Sequence, residues 1–149
     1  MPEDYSSPDA IAEIKVHKAL DASTLVFITA ARNYEFFESN GIKYFVSLGI
    51  NGTRKHAGRA LNTAVFINEP LSINDLVEIV KVITEAKCGA LIDYGLKITG
   101  TFTDAVAAGA SNLLENVRFA GTATPPGSEV GREVYISVMR LLEKDLNHF

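Results

Sequence analysis

The stretch "TAVFINEPLSINDLVEIVKVITEAK", Thr63–Lys87, decides how this chain folds. Thr63–Asn68 is a short, β-branched apolar run, which predicts a buried strand stopped by Glu69-Pro70. The residues from Ser72 onward predict a helix. Ser72 is placed to cap it, with Asp75 three residues on, the spacing of a capping box. At 100° per residue, Ile73, Leu76, Val77, Val80, Ile83 and Thr84 share one face, and Asn74, Glu78, Lys81 and Glu85 share another. Lys87 falls within the apolar face, and Gly89 is expected to end the helix.

Working outward, Ser7-Pro8 reads as a capped start of a helix to about Leu20. Thr24–Ala30 reads as a strand, "RNYEFFES" as a short helix ended near Asn40-Gly41, and Ile42–Ile50 as the second strand. "NGTRKHAG" is a polar, glycine-bounded loop before the Thr63 strand. Beyond the central helix, Ala90–Tyr94 predicts a fourth strand, "DAVAAGA" a fifth and "VRFAG" a short sixth. "TPPGSEVG" predicts a turn opening a last helix from Glu129 to about Leu146, with Val130, Val134, Val138, Leu141 and Leu142 as its apolar stripe. Strands alternating with helices point to α/β: a single layered domain over residues 1–149, a central, mostly β-sheet layer with helices packed on it.

Composition narrows the function. A chain of 149 residues with 47% hydrophobic and 21% charged residues has a core to bury. A net charge of -4 argues against a broad nucleic-acid surface. The densest basic stretch, Thr53–Arg59, is too short for a duplex-binding face and reads as a solvated loop or a grip on one anionic group. Cys88 is the single cysteine, so no internal disulfide forms, which fits a reducing compartment. The N-terminus is acidic and polar, unlike a secretory signal, and no apolar run nears the ~18–20 residues that span a bilayer. The expected location is the cytoplasm.

Four polar, glycine-marked segments stand next to strands or helices: "SLGINGTRKHAG", "FINEPLS", "TGTFTDA" and "AGTATPPGS". If they share one sheet edge they wall a pocket, since ligands of α/β domains sit at strand ends; otherwise they are ordinary turns. In "TGTFTDA", Asp104 can accept hydrogen bonds in a turn or act as a general base toward water. Lys87 has three escapes from its apolar face: snorkelling, pairing with Asp104 or Glu85, or serving a pocket as an electrophile or phosphate grip. Cys88 reads as a small buried thiol. The spacing of His17, His56 and His148 matches no metal site. His56 lies in the basic loop.

Taken in order, "FITAARNYEFF", "VSLGINGTRKHAG", "NTAVFINEPLS", "ITEAKCGALIDYGL", "TGTFTDAV" and "AGTATPPGSEVGREVYISV" resemble segments of the adenosylcobinamide amidohydrolase family, over roughly Thr24–Leu142. "ITEAK" is close to the family's Thr-Glu-Ala-Lys, and "TGTFTDA" resembles its Thr-Gly-Thr-Gly-Thr-Asp-Ala. The departures are Ser47-Leu48 for Thr-Ala, Asn62 for a glycine, Phe102 for a glycine, and a shorter N-terminal portion. The resemblance implies hydrolysis of the amide joining a corrin ring to its aminopropanol arm, giving adenosylcobyric acid. The corrinoid is then the substrate, with no separate cofactor and no metal ligands.

Chemistry on those positions suggests Asp104 to orient or deprotonate the water. Thr101 and Thr103 would position it or donate to the oxyanion, Lys87 would pair with Asp104 or polarise the carbonyl, and Glu85 is the alternative base. Gly49, Asn51, Arg54, His56, Thr63, Asn68, Gly100, Gly121 and Gly127 are the expected substrate-binding positions. Two other readings stay open: a non-catalytic corrinoid-binding relative, and a hydrolase or transferase of another amide or phosphorylated metabolite. A homo-oligomer is expected, to replace absent pocket walls; no nucleic-acid or membrane partner is expected.

Overall fold

Asn40-Gly41 makes a tight turn between two strands. Both residues have positive φ, 50° and 75°, and Ser39 pairs with Ile42 across them. Two central residues of that kind are the preferred two-residue hairpin connection. The turn joins β1 (Asn33–Ser39) to β2 (Ile42–Gly49). "RNYEFFES" is therefore a strand and not the expected helix. Its aromatic residues favour a pleated surface, and its burial alternates residue by residue. The computed structural model describes residues 12, 24–27, 29, 31–50, 59–115 and 120–147.

The remaining elements are β3 (Ala60–Leu71), α1 (Ile73–Asp93), β4 (Val106–Leu113) and α2 (Pro125–Leu146). Among the described residues the sheet order is β1-β2-β3-β4. The first three strands are antiparallel, and β4 lies parallel to β3 after the α1 crossover. Among the described residues the domain is α/β, a mixed sheet with α1 and α2 layered on one face. β3 outruns its expected end at Asn68 and carries Pro70 past a register shift, where a proline is tolerated in a strand.

The core lies between sheet and helices. Ile42, Tyr44, Val46 and Leu48 of β2, and Leu61, Val65 and Ile67 of β3, meet Ile79, Val82, Ile83 and Leu91 of α1 and Val130, Val134, Val138, Leu141 and Leu142 of α2. The α2 stripe is the one its periodicity predicts. The α1 stripe is rotated from the predicted one: Asp75, Ile79, Val82, Ile83, Lys87, Ala90 and Leu91 are buried, while Ile73, Val77 and Val80 are exposed. α1 is apolar around much of its circumference, and two of its buried positions are charged, so hydrophobicity alone points to the wrong face. The other face of the sheet presents Phe36, Phe45 and Phe66 around a shallow depression of about 300 Å³, with Leu25 against it.

Caps account for the helix bounds. Ser72 and Asp75 form the expected capping box. Asp75 is fully buried, and Ser72 Oγ donates to it at 2.7 Å. α1 runs through Gly89, which packs on the Tyr135 ring, and absorbs the expected strand Ala90–Tyr94. Its true stop is Gly95, with φ of 95°: Gly95 N–H bonds Ile92 O and Leu96 N–H bonds Leu91 O, a Schellman ending. α2 starts four residues before Glu129, with Thr124 as N-cap and Pro125 and Pro126 in its first turn. "DAVAAGA" is a strand, shifted to Val106–Leu113. Thr24–Phe27 and Thr29 have no regular structure, unlike the strand expected there. The expected first helix lies outside the described residues except for helical Ala12, as does most of "VRFAG"; its last two residues, Ala120 and Gly121, are not in a strand. No helix of the described residues is long and apolar enough to cross a membrane.

Candidate active site

The four polar segments do not share one edge. "SLGINGTRKHAG" leaves β2 and enters β3 at the edge where "TGTFTDA" enters β4. "FINEPLS" and "AGTATPPGS" lie at the opposite edge, where both helices begin. Leu61 and Asn68, seven residues apart on β3, mark the two ends, a separation of roughly 23 Å at strand geometry.

At the first edge, Lys87 and Asp104 meet. Lys87 projects from the last third of α1 toward the start of β3 and is 3% exposed. Snorkelling to water is therefore not its escape; pairing is. Its Nζ lies 3.1 Å from Asp104 Oδ2 and 3.4 Å from the Leu61 carbonyl. Among the described residues these are its two acceptors, so one of its three N–H bonds is left to a further acceptor.

Asp104 is held from every side. Oδ1 accepts from Leu61 N–H at 2.7 Å and from the Thr101 hydroxyl at 2.6 Å, while Oδ2 accepts from Thr101 N–H at 3.0 Å and from Lys87. Burial pushes the carboxyl pKa up. The Thr101 hydroxyl and N–H, the Leu61 N–H and the Lys87 charge outweigh it and hold the group below the ordinary aspartate range. A carboxylate bonded to four donors and lowered in pKa is a poor proton acceptor. Here it is an anchor for the Lys87 ammonium and for its own turn.

The turn is stapled to β3 by three more contacts. The Thr103 hydroxyl donates to the Arg59 carbonyl at 2.9 Å, and Thr101 Oγ1 lies 2.8 Å from the same carbonyl, its single hydrogen shared between that oxygen and Asp104. Asn62 Oδ1 accepts from Ala105 N–H at 3.0 Å. Gly100 sits so close to this cluster that a Cβ there would lie 2.7 Å from Asp104 Oδ2. Sequence reasoning nominated Thr101, Thr103, Gly100, Lys87 and Asp104, and the fold brings all five together. It missed Leu61 and Arg59, which act through backbone atoms that carry no residue-type signature. It also missed Asn62, noted only as a departure from a family glycine.

The other nominees are dispersed. Glu85 is exposed and, two residues from Lys87, lies about 200° around α1 from it. Thr63 is fully buried in β3, its hydroxyl unpartnered among the described residues and its N–H on the Ala105 carbonyl. Gly49 pairs with Ala60 at the Lys87 edge. Asn51, Arg54 and His56 lie outside the described residues. Asn68 lines a cleft of about 450 Å³ at the far edge with Asn40, Glu69, Pro125 and Glu129. Gly121 and Gly127 stand at the start of α2, and packing explains Gly127: a Cβ there would fall 2.0 Å from the Gly121 carbonyl oxygen and 2.4 Å from that of Ala120. These are backbone atoms and cannot move aside cheaply. Gly127→Ala is expected to cost about 3 kcal/mol, the upper end for overpacking, and to lower the thermal midpoint by roughly 6–12 °C in a calorimetric scan. Among the described residues no three His, Cys, Asp or Glu side chains cluster as metal ligands.

A family model described as adenosylcobinamide amidohydrolase matches residues 10–148. Neither a curated protein nor a solved structure matches the chain. The match takes in both segments whose side chains meet in the ion pair, Thr84–Lys87 on α1 and Thr99–Ala105 before β4. With nearly its whole length accounted for by that one model, the chain belongs to the adenosylcobinamide amidohydrolase family.

Proposed function

We propose that this protein hydrolyses the amide linking the aminopropanol arm to the corrin ring of adenosylcobinamide, at the edge of the sheet marked by Lys87 and Asp104. One observation supports this above the others. Two segments that resemble the family's signature, 17 residues apart from Lys87 to Asp104, converge on one ion pair whose lysine is buried.

In this reading water attacks the amide carbon, the C–N bond breaks, and the carbonyl carbon leaves as a carboxylate. The departing aminopropanol nitrogen takes both protons that the water gives up and leaves as an ammonium. The developing charge on the carbonyl oxygen needs a donor already in place. The remaining N–H of Lys87 is that donor, and Asp104 keeps the ammonium aimed and charged. Thr101 and Thr103 serve by fixing the turn, since their hydroxyls are already engaged with Arg59 and Asp104.

Incubation of the purified protein with adenosylcobinamide, followed by chromatography and mass analysis, tests this. Conversion to adenosylcobyric acid with release of aminopropanol is the expected result. Corrinoid retained on the protein without conversion would replace the hydrolase with a non-catalytic corrinoid binder. Neither conversion nor retention would exclude the corrinoid as its ligand.

A further inference from the structure

Phe102 is fully exposed, the most exposed of the large apolar residues described. A single apolar side chain at the surface is ordinary. What sets Phe102 apart is that its exposure is enforced. The residues on either side, Thr101 and Thr103, both turn their hydroxyls inward to the Arg59 carbonyl. Thr101 is further tied to Asp104 through its N–H and its hydroxyl. A turn pinned on both sides of one residue leaves that residue's side chain to project outward.

The backbone asks nothing special of this position. Asn40 is the non-glycine residue with positive φ among those described, so the phenylalanine sits in ordinary conformation. The ring contributes nothing to the core, and Ile98, 39% exposed, lies four residues before it. A solvent-facing aromatic ring carried on the fixed turn that holds Asp104 is an apolar contact whose backbone is in place before a ligand arrives.

Building on the hydrolase activity proposed above, we propose that Phe102 is a substrate-binding residue that packs against a flat or apolar part of the corrinoid, away from the amide that is cleaved. Aromatic rings stack on planar π faces and cover apolar edges. An adenosyl corrinoid offers both: the adenine face and the methyl-bearing rim of the macrocycle. A contact remote from the reacting atoms that is equally good in ground and transition states acts on KM and leaves kcat alone. A glycine at this position, as in the pattern the segment resembles, cannot make the contact, so it is a specificity feature of this chain.

The test is the steady-state kinetics of the wild type, Phe102→Ala and Phe102→Tyr, with equilibrium dialysis of adenosylcobinamide and of cobinamide lacking the adenosyl group. Phe102→Ala is expected to raise KM, and to weaken binding, by about tenfold with kcat within about twofold, the signature of lost uniform binding. Phe102→Tyr is expected to restore both, and the thermal midpoint should be the same in all three proteins because the ring is outside the core. Weakened binding confined to the adenosyl form assigns the contact to adenine; equal weakening of both forms assigns it to the macrocycle. A wild type that converts its substrate alongside an Ala variant of unchanged KM would overturn the role of Phe102 and leave the hydrolase standing. A wild type that neither converts nor binds corrinoid would overturn both.

Discussion

Asp104→Asn is expected to lower the thermal unfolding midpoint by roughly 10 °C and to reduce turnover of adenosylcobinamide by roughly 10²–10³-fold. The change is nearly isosteric, but it reverses the hydrogen bonding. Both carboxylate oxygens accept from two donors each, among them two backbone N–H groups and an ammonium. Whichever position the new amide nitrogen takes, its N–H bonds face other N–H or N⁺–H donors. Lys87 loses its counter-charge and keeps at best a neutral amide oxygen beside the long contact to the Leu61 carbonyl. Removing one partner of a buried pair costs about 3–5 kcal/mol because the other charge stays behind uncompensated. In a domain of this size each kcal/mol is worth about 2–4 °C.

The same carboxylate shapes the acid limb of stability. Its folded pKa lies below the unfolded one, so the unfolded chain binds the extra proton. The contribution is complete above the unfolded value of about 4 and is lost as the pH falls through the folded value. Glu35 adds to the same limb. Burial raises its pKa, but Arg140 and Ser137, with Lys144, bring it below the ordinary value. Asp104→Asn is therefore expected to flatten the loss of stability below about pH 4 without removing it, read from denaturation midpoints across pH.

Lys87→Met carries the second large effect, and its profile differs. Methionine fills the apolar path of the lysine stem. Asp104 loses one donor but keeps Leu61 N–H, Thr101 N–H and the Thr101 hydroxyl, and it is partly open to water, with 14% of its side chain exposed. The stability loss should be under half that of Asp104→Asn. Turnover should still fall by roughly 10²–10³-fold, the usual consequence of removing one donor to a developing oxyanion. The pair of variants thus separates the two residues by chemistry: one anchors, the other acts. A Lys87→Met protein that kept wild-type turnover would leave the ion pair with a purely architectural role.

Much of the site was legible because it rests on side chains whose types betray their job. A lysine on a buried helix face needs an anion, and an aspartate flanked by threonines and a glycine can supply one. What was not legible depends on backbone partners and on which edge of the sheet each loop reaches. Asn68 and Gly127 looked like companions of Asp104 along the chain. The β3-to-α1 reversal carries one of them, and the α2 start the other, to the far edge. The hairpin at Asn40-Gly41 was written in the sequence, yet it read as the end of a short helix. In the strand, Glu35 and Ser39 instead face α2, where Ser137, Arg140 and Glu129 meet them. Gly89, expected to end α1, lies inside it, and Gly95 ends it. Only the second has the positive φ that terminates a helix.

A crystal structure of the wild-type protein with its proposed product, adenosylcobyric acid, would show directly whether Lys87 faces the reacting group. The new carboxylate is expected within hydrogen-bond distance of Lys87 Nζ, at the edge where β3 and β4 begin. A corrinoid seated instead in the cleft between Asn40, Asn68 and Pro125, with Lys87 still closed over Asp104 alone, would contradict that role.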